Sequence, residues 1–135
     1  MIRSAKEFVL LRESDDPFDY RRAAEEEATE EIWLDVIRNY PNMKSWVAHN
    51  KTVPLEILNV LANDVDPDVR YSVAMKKKLS LEIFKRLASD EDYSVRLCIA
   101  KNKKAPSSIL EMLSNDPEED IKNLANENFS KIKTK

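Results

Sequence analysis

The sequence predicts an all-α protein, a short α-solenoid (an α-α superhelix) of about four two-helix repeats. Three observations predict this fold class. The chain matches itself when it is shifted by 26 residues. Each repeat carries two short apolar stripes with helical spacing, and residues that start or stop helices separate them. The 135 residues include no glycine, while 42% are hydrophobic and 35% are charged, which suits a charge-coated helical protein.

The first third of the chain predicts three helices ahead of the regular repeats. A capping box at Ser4 and Glu7 predicts a leading helix over residues 4–13. Asp16-Pro17 combines a cap with a proline at the first helical position, and it opens a second helix that runs to about residue 27. Thr29 predicts a third helix over residues 29–39, and we expect the next helix to start at residue 41.

The middle of the chain holds the regular repeats. Nearly half of the positions in residues 54–79 are identical in residues 80–105, and the apolar positions persist in residues 106–131. The first helix of a repeat follows an aspartate, as at Asp66-Pro67, and the second starts at the position of Pro54, Ser80 and Pro106. Helices of about ten residues are unstable alone in water, so neighbouring repeats must stabilise one another.

The predicted organisation is a single helical-repeat domain over residues 1–135. The N-terminal helix covers residues 1–16, and a divergent repeat covers 17–40. The three regular repeats cover 41–66, 67–92 and 93–118. A C-terminal half-repeat cap covers 119–131, and a tail covers 132–135. The first helix of a regular repeat ends near Lys76, the position of Asn50 and Asn102. Since the chain has no glycine, we expect Asn50 and Asn102 to adopt the left-handed conformation that often ends a helix.

The repeat motif carries a resemblance. Val69-Arg70-x-x-Val73-Ala74, followed by Leu81-x-x-Phe84-x-x-Leu87-Ala88-x-Asp90, resembles the leucine-rich repeat variant (LRV) and is similar to HEAT-like repeats, over roughly residues 41–126. The resemblance implies a non-catalytic protein-binding scaffold or adaptor. In its sharpest form it implies a bacterial immunity protein that neutralises a toxin by covering its active site. Nucleic-acid backbone binding and an accessory chaperone or lyase role remain alternatives.

Composition excludes several kinds of site. Without glycine the chain can form neither a phosphate-binding loop nor a nucleophile elbow. One cysteine, Cys98, and one histidine, His49, exclude an internal disulfide and a metal site built from several cysteines or histidines. We therefore expect no catalytic residues, no cofactor and no metal. Cys98 aligns with mixed positions beside the core, and we expect a half-buried structural thiol.

Net charge and hydropathy bear on the partner and the location of the protein. The net charge of −3 disfavours nucleic acid as a partner, because nucleic-acid-binding domains are usually basic. The apolar runs are shorter than the core of a signal peptide or a membrane span, so we expect a cytoplasmic protein that does not enter the membrane. We expect a monomer when free and a protein partner with an acidic or mixed-charge surface.

Candidate partner-binding residues recur at fixed positions of the repeat. Stacking would align the lysines at the turn between the two helices of a unit into a basic ridge: Lys51, Lys77, Lys78, Lys103 and Lys104. The exposed side of the second helices is another candidate surface, with Asn59, Lys85, Arg86, Glu111 and Met112. Tyr71, on a first helix, is a candidate aromatic anchor. Helix capping also separates charges of opposite sign, so the ridge has a structural explanation too.

Other conspicuous residues have structural interpretations. Asp64, Asp90 and Asp116 each precede a basic residue by six positions. We expect these aspartates to cap helices and to pair with arginines of their own or a neighbouring repeat, as a ladder. Trp33 aligns with core positions, whereas Trp46 fits either the core or a partner contact.

Overall fold

The protein is all-helical. The computed structural model describes residues 1–133, and this range contains ten α-helices, one 3-10 turn and no β-strand. The predicted all-α class is confirmed. The chain divides into two compact units, unit 1 over Met1–Asn63 and unit 2 from Asp64 onward.

Unit 1 contains five α-helices, and a 3-10 turn at Pro41–Met43 precedes the fourth. They are α1 (Ala5–Glu13), α2 (Pro17–Glu25), α3 (Glu30–Asn39), α4 (Lys44–His49) and α5 (Leu55–Ala62). Helix α1 packs against α2 and α3, and α3 also packs against α4 and α5. The rings of Phe8 and Trp33 are fully buried and meet edge to face, with centroids 5.2 Å apart. The prediction that Trp33 belongs to the core is confirmed.

Unit 2 contains the next five helices of the described chain. They are α6 (Pro67–Ala74), α7 (Leu81–Ala88), α8 (Tyr93–Lys101), α9 (Ser107–Leu113) and α10 (Glu119–Lys133). Helices α6, α7 and α8 pack against one another, α9 packs against α7 and α8, and α10 packs against α8 and α9. The apolar stripes predicted from the repeat supply the core, as with Val73 on α6, Leu87 on α7 and Ile99 on α8.

Short-range capping signals account for the helix starts. Side-chain oxygens of Ser4, Asp16, Thr29, Asp66 and Ser80 each accept a hydrogen bond from a backbone N–H in the first turn of the helix that follows. The predicted caps at Ser4, Asp16, Thr29 and Asp66 are confirmed, as is the predicted helix start at Ser80. Two helix bounds differ from expectation. The second helix ends at Glu25, because the backbone of Glu26 is extended, and residues 41–43 form a 3-10 turn without a side-chain cap.

The two asparagines do not adopt the left-handed conformation, so that prediction is wrong. The φ angles are −59° at Asn50 and −71° at Asn102, and no residue within 1–133 has a positive φ. Instead, the Asn102 side chain accepts the Lys104 N–H through Oδ1 and donates through Nδ2 to the Lys76 carbonyl oxygen, 26 residues earlier. Asn50 makes the equivalent pair of bonds in unit 1. Hydrogen bonds to the preceding repeat thus end these helices without left-handed strain, which costs about 1–2 kcal/mol at a non-glycine residue.

Two arginine–aspartate pairs in unit 2 each link the beginning of a predicted repeat to its end. The distance from Arg70 Nε to Asp90 Oδ2 is 2.8 Å, and Arg96 Nε lies equally close to Asp116 Oδ2. Each arginine therefore binds the aspartate 20 residues further along the chain, and both aspartates are buried. Asp90 and Asp116 also accept the N–H two residues later, just before a helix. The predicted ladder is confirmed for these two pairs.

The C-terminal helix extends into the predicted tail. Helix α10 continues through Lys133, so residues 132 and 133 are helical rather than part of a tail. Residues 134 and 135 of that predicted tail lie outside the described residues.

Candidate functional site

A groove on unit 2 brings together several of the candidate binding residues. Helices α6 and α8 occupy equivalent positions in the 26-residue sequence repeat, and they pack side by side. Two adjoining concavities of 330 Å³ and 460 Å³ lie along this face, and both are lined by Tyr71, Cys98 and Lys101. The first lies at the helix starts and the second at the helix ends, so the two helices run parallel. We call this continuous surface the α6–α8 groove.

The starting end of the groove is acidic. Asp68 lies in the first turn of α6, and Asp92 is the N-cap of α8, where its Oδ1 accepts the Val95 N–H at 3.2 Å. Both residues line the smaller concavity. Carboxylates are stabilised at helix N-termini by the helix dipole and by the free N–H groups, which explains why the repeat places them there. The same geometry gives the groove a negative end.

The middle of the groove is apolar and partly exposed. Tyr71 is 40% exposed and Met75 is 63% exposed, which are large values for side chains of this size. Leu97 and Cys98 on α8 are half-buried beside them. Burial raises the pKa of the Cys98 thiol, with a smaller opposing effect of Lys101. Near neutral pH the Cys98 thiol is therefore protonated, and it packs in the floor of the groove. The prediction that this thiol is half-buried is confirmed.

The far end of the groove is basic. The lysines that line it are exposed, and they are Lys77 at the end of α6 and Lys101, Lys103 and Lys104 at the end of α8. The hydrogen bond from the Lys104 N–H to Asn102 Oδ1, at 2.7 Å, sets the turn that presents the last two. Lys76 differs from them, because burial lowers the pKa of its amine. Four exposed ammonium groups at one end of a groove favour a negatively charged partner.

Only some lysines of the predicted basic ridge lie together in the structure. Lys77, Lys103 and Lys104 line the groove together with Tyr71. Lys78 is exposed but does not line either concavity. Lys51 belongs to unit 1, where its Nζ lies 3.4 Å from Glu25 Oε1. Within unit 2 the repeat position therefore predicted three of the lysines that converge, and Lys101 adds to the same group at the turn, whereas the exposed Met75 was not predicted.

The candidate residues on the second helices do not line this groove. Lys85 on α7 and Glu111 and Met112 on α9 are exposed, and Asn59 on α5 of unit 1 is half-buried. Arg86 has a structural partner, because its Nη1 lies 3.1 Å from the buried Asp90 Oδ2. The i,i+4 spacing of these two residues on and just after α7 is the sequence signal for that pair.

An aromatic cluster in unit 1 was not predicted from the sequence. The Arg12 guanidinium lies between two rings, with its Cζ 3.5 Å from the centroid of Trp46 and 4.4 Å from that of Tyr20. Among the described residues, Arg12 Nε and Nη1 are buried without a hydrogen-bond acceptor. The ring of His49 meets Trp46 edge-on at 5.8 Å. Arg12 on α1 thus links to Tyr20 on α2 and to the partly exposed Trp46 on α4 by cation–π stacking.

Three further findings concern metal binding, membrane insertion and similarity to known proteins. Within residues 1–133, no three His, Cys, Asp or Glu side chains are grouped closely enough to hold a metal ion. None of the described helices is both long and apolar enough to cross a bilayer. Comparison with known protein families, curated proteins and solved structures finds no match for the chain.

Proposed function

We propose that the protein is a non-catalytic binding module that holds one protein partner with an acidic or mixed-charge surface in the α6–α8 groove. The observation that carries the proposal is the convergence of Tyr71 with Lys77, Lys103 and Lys104 around one 460 Å³ concavity. Each of these residues is also a candidate partner-binding residue on the sequence alone.

The chemistry of the groove suits protein recognition. Tyrosine and methionine are enriched in protein interfaces, and a partly exposed aromatic residue beside an apolar floor is typical of an anchor site. The surrounding lysines would steer an acidic partner and fix its orientation, since charged residues contribute to association rate and specificity more than to affinity. Asp68 and Asp92 at the opposite end disfavour a nucleic-acid backbone, which would be repelled there.

A helical-repeat scaffold is part of the proposal. Within unit 2 the Arg70–Asp90 pair recurs as Arg96–Asp116, which supports a regular stack of HEAT-like or LRV type. In its sharpest form the protein is an immunity protein of bacterial type, a cytoplasmic monomer that neutralises a toxin by covering its active site. That role needs a complementary surface and no reacting group, in keeping with a groove of lysines and apolar side chains.

The experiment is affinity capture from the cells in which the protein occurs, with two matched variants. Lys103→Glu/Lys104→Glu reverses two charges in the groove, whereas Lys6→Glu/Lys122→Glu makes the same net change on exposed positions of α1 and α10. We expect a stoichiometric protein that binds the wild type and the control equally and the groove variant at least about tenfold more weakly, since like charges then face each other.

Two results would contradict the proposal. One is equal capture by both variants, which would place the binding surface elsewhere. The other is recovery that disappears on nuclease treatment, which would favour the nucleic-acid alternative. Circular dichroism of both variants establishes that a loss of binding does not come from a loss of helix.

A further inference from the structure

We infer that the α6–α8 groove receives an amphipathic α-helix of the protein partner, and that this helix lies antiparallel to α6 and α8. The inference rests on the proposed function and specifies the shape and orientation of the occupant. Its basis is the order of three features along the groove, an acidic end, an apolar middle and a basic end.

The shape of the groove fits a helix. Because α6 and α8 are parallel neighbours, a third helix can pack in the α6–α8 groove. Tyr71 and Met75 are four residues apart on α6 and its cap, and Leu97 and Lys101 are four apart on α8, so each pair lies on one helix face. The nine residues of α8 span about 13 Å, which two to three turns of a partner helix would cover.

An extended segment fits less well. Strand-like ligands gain affinity by adding main-chain hydrogen bonds to an exposed sheet edge. The walls of this groove are α-helices, whose interior N–H and C=O groups bond within the helix. An extended segment would therefore lose the hydrogen bonds between its backbone and water without forming backbone hydrogen bonds to the groove in return. A bound helix keeps its backbone hydrogen bonds within itself.

Charge decides the orientation. Helices ordinarily carry acidic side chains in the first turn and basic side chains in the last, because these positions complement the helix dipole. In the antiparallel orientation the partner's acidic first turn lies over Lys77, Lys103 and Lys104, and its basic last turn lies over Asp68 and Asp92. The parallel orientation would bring like charges together at both ends.

The test uses two synthetic peptides of about 14 residues with identical composition. Both carry a leucine stripe at i, i+3, i+4 and i+7, and both are held helical by a lactam bridge on the polar face. One peptide has glutamates in the first turn and lysines in the last, and the other has these two blocks exchanged. Fluorescence anisotropy at low ionic strength measures the Kd of each for the full chain.

We expect the peptide with N-terminal glutamates to bind at least about tenfold more tightly, and added salt should shrink the difference. The variant Asp68→Lys/Lys103→Glu/Lys104→Glu leaves balanced charges at both ends of the groove, so it should abolish the preference. The control Lys6→Glu/Lys122→Glu, at exposed positions outside the groove, should keep it. Equal binding of the two peptides to the wild type, the opposite preference, no binding of either peptide, or an unchanged preference in the Asp68/Lys103/Lys104 variant would overturn the inference.

The inference and the proposed function can fail separately. If a captured protein depends on Lys103 and Lys104 but the peptides show no orientation preference, the helix inference is wrong and the protein-binding function stands. If capture is the same for the groove variant and the control, the proposed function is wrong whatever the peptides do.

Discussion

Replacing Asp90 by asparagine probes the buried charge network of unit 2. The Asp90 side chain is fully buried and accepts hydrogen bonds from Arg70 Nε at 2.8 Å, Arg86 Nη1 at 3.1 Å and the Asp92 N–H at 2.9 Å. Asparagine keeps the shape and one oxygen but removes the charge. It leaves the Arg70 guanidinium, only 4% exposed, without its nearest counter-charge.

The magnitude follows from that burial. Removing one partner of a buried ion pair costs about 3–5 kcal/mol, because the remaining charge is desolvated and uncompensated. The lower end of this range applies to Asp90, since Glu91 lies 3.8 Å from Arg70 Nη2 and the Asp64 carbonyl oxygen accepts from Nη1. With a urea m-value of about 2 kcal/mol/M, a loss of about 3 kcal/mol lowers the midpoint by about 1.5 M.

Urea unfolding followed by circular dichroism measures this loss, and Asp116→Asn is the matched control. Arg96, the partner of Asp116, is 13% exposed, so water solvates its charge better and the loss should be smaller. A free energy of unfolding within about 1 kcal/mol of wild type for Asp90→Asn would mean that the Arg70–Asp90 pair behaves as an exposed pair, because that is the range of exposed pairs. A larger loss for Asp116→Asn than for Asp90→Asn would contradict the ranking by burial.

Acid provides a second readout of the same pair. Burial alone would raise the pKa of Asp90, but the hydrogen bonds from Arg70 and from the Asp92 N–H outweigh it and hold the pKa below its usual value. A depressed pKa contributes stability that is complete above the unfolded-state value of about 3.9 and is lost as the pH falls through the folded-state value. Below about pH 4, stability should therefore fall more steeply in the wild type than in Asp90→Asn.

Three further predictions concern other contacts. Asn102→Ala removes the acceptor of the Lys104 N–H and the donor to the Lys76 carbonyl, and it should lower the free energy of unfolding by about 1–2 kcal/mol in urea titrations. Arg12→Gln removes the cation between two rings, so Trp46 fluorescence should change and stability should fall by about 1 kcal/mol. Alkylation of Cys98 by iodoacetamide at pH 8 should be slower than that of an exposed cysteine peptide, because burial raises the pKa of its thiol.

Each of these has a clear opposing result. A free energy of unfolding equal to that of the wild type in Asn102→Ala would mean that the Asn102 side chain does not hold the turn. Lys103→Ala, in the same loop, is the control. Unchanged emission in Arg12→Gln would mean that the guanidinium does not stack on Trp46 in solution. Alkylation of Cys98 as fast as that of the peptide would mean that the thiol is open to solvent.

The helices could be predicted because their signals are local. A cap such as Ser80, followed by apolar residues at helical spacing, specifies both the start and the buried face of α7 within a few residues. The ends were harder, as Asn50 and Asn102 show. Local propensity favoured a left-handed residue, but hydrogen bonds to carbonyls of the preceding repeat offered a less strained alternative that no local pattern reveals.

The candidate site could be predicted only in part, for a related reason. The repeat placed Lys77 and Lys103 at equivalent positions, so their convergence followed from repetition alone. The stacking of Arg12 on Trp46 joins α4 to α1, the leading helix that lies outside the repeats. The register between such helices depends on side-chain packing, which leaves no periodic trace in the sequence.

Site-specific photo-crosslinking in the cells where the protein occurs tests directly whether the α6–α8 groove holds the protein partner. A photoreactive phenylalanine derivative replaces Tyr71 in the α6–α8 groove, and in a matched variant it replaces Lys85 on the exposed face of α7. We expect one discrete protein adduct from position 71 that is lost with Lys103→Glu/Lys104→Glu, and none from position 85. An adduct from position 85 and none from position 71 would contradict binding in this groove.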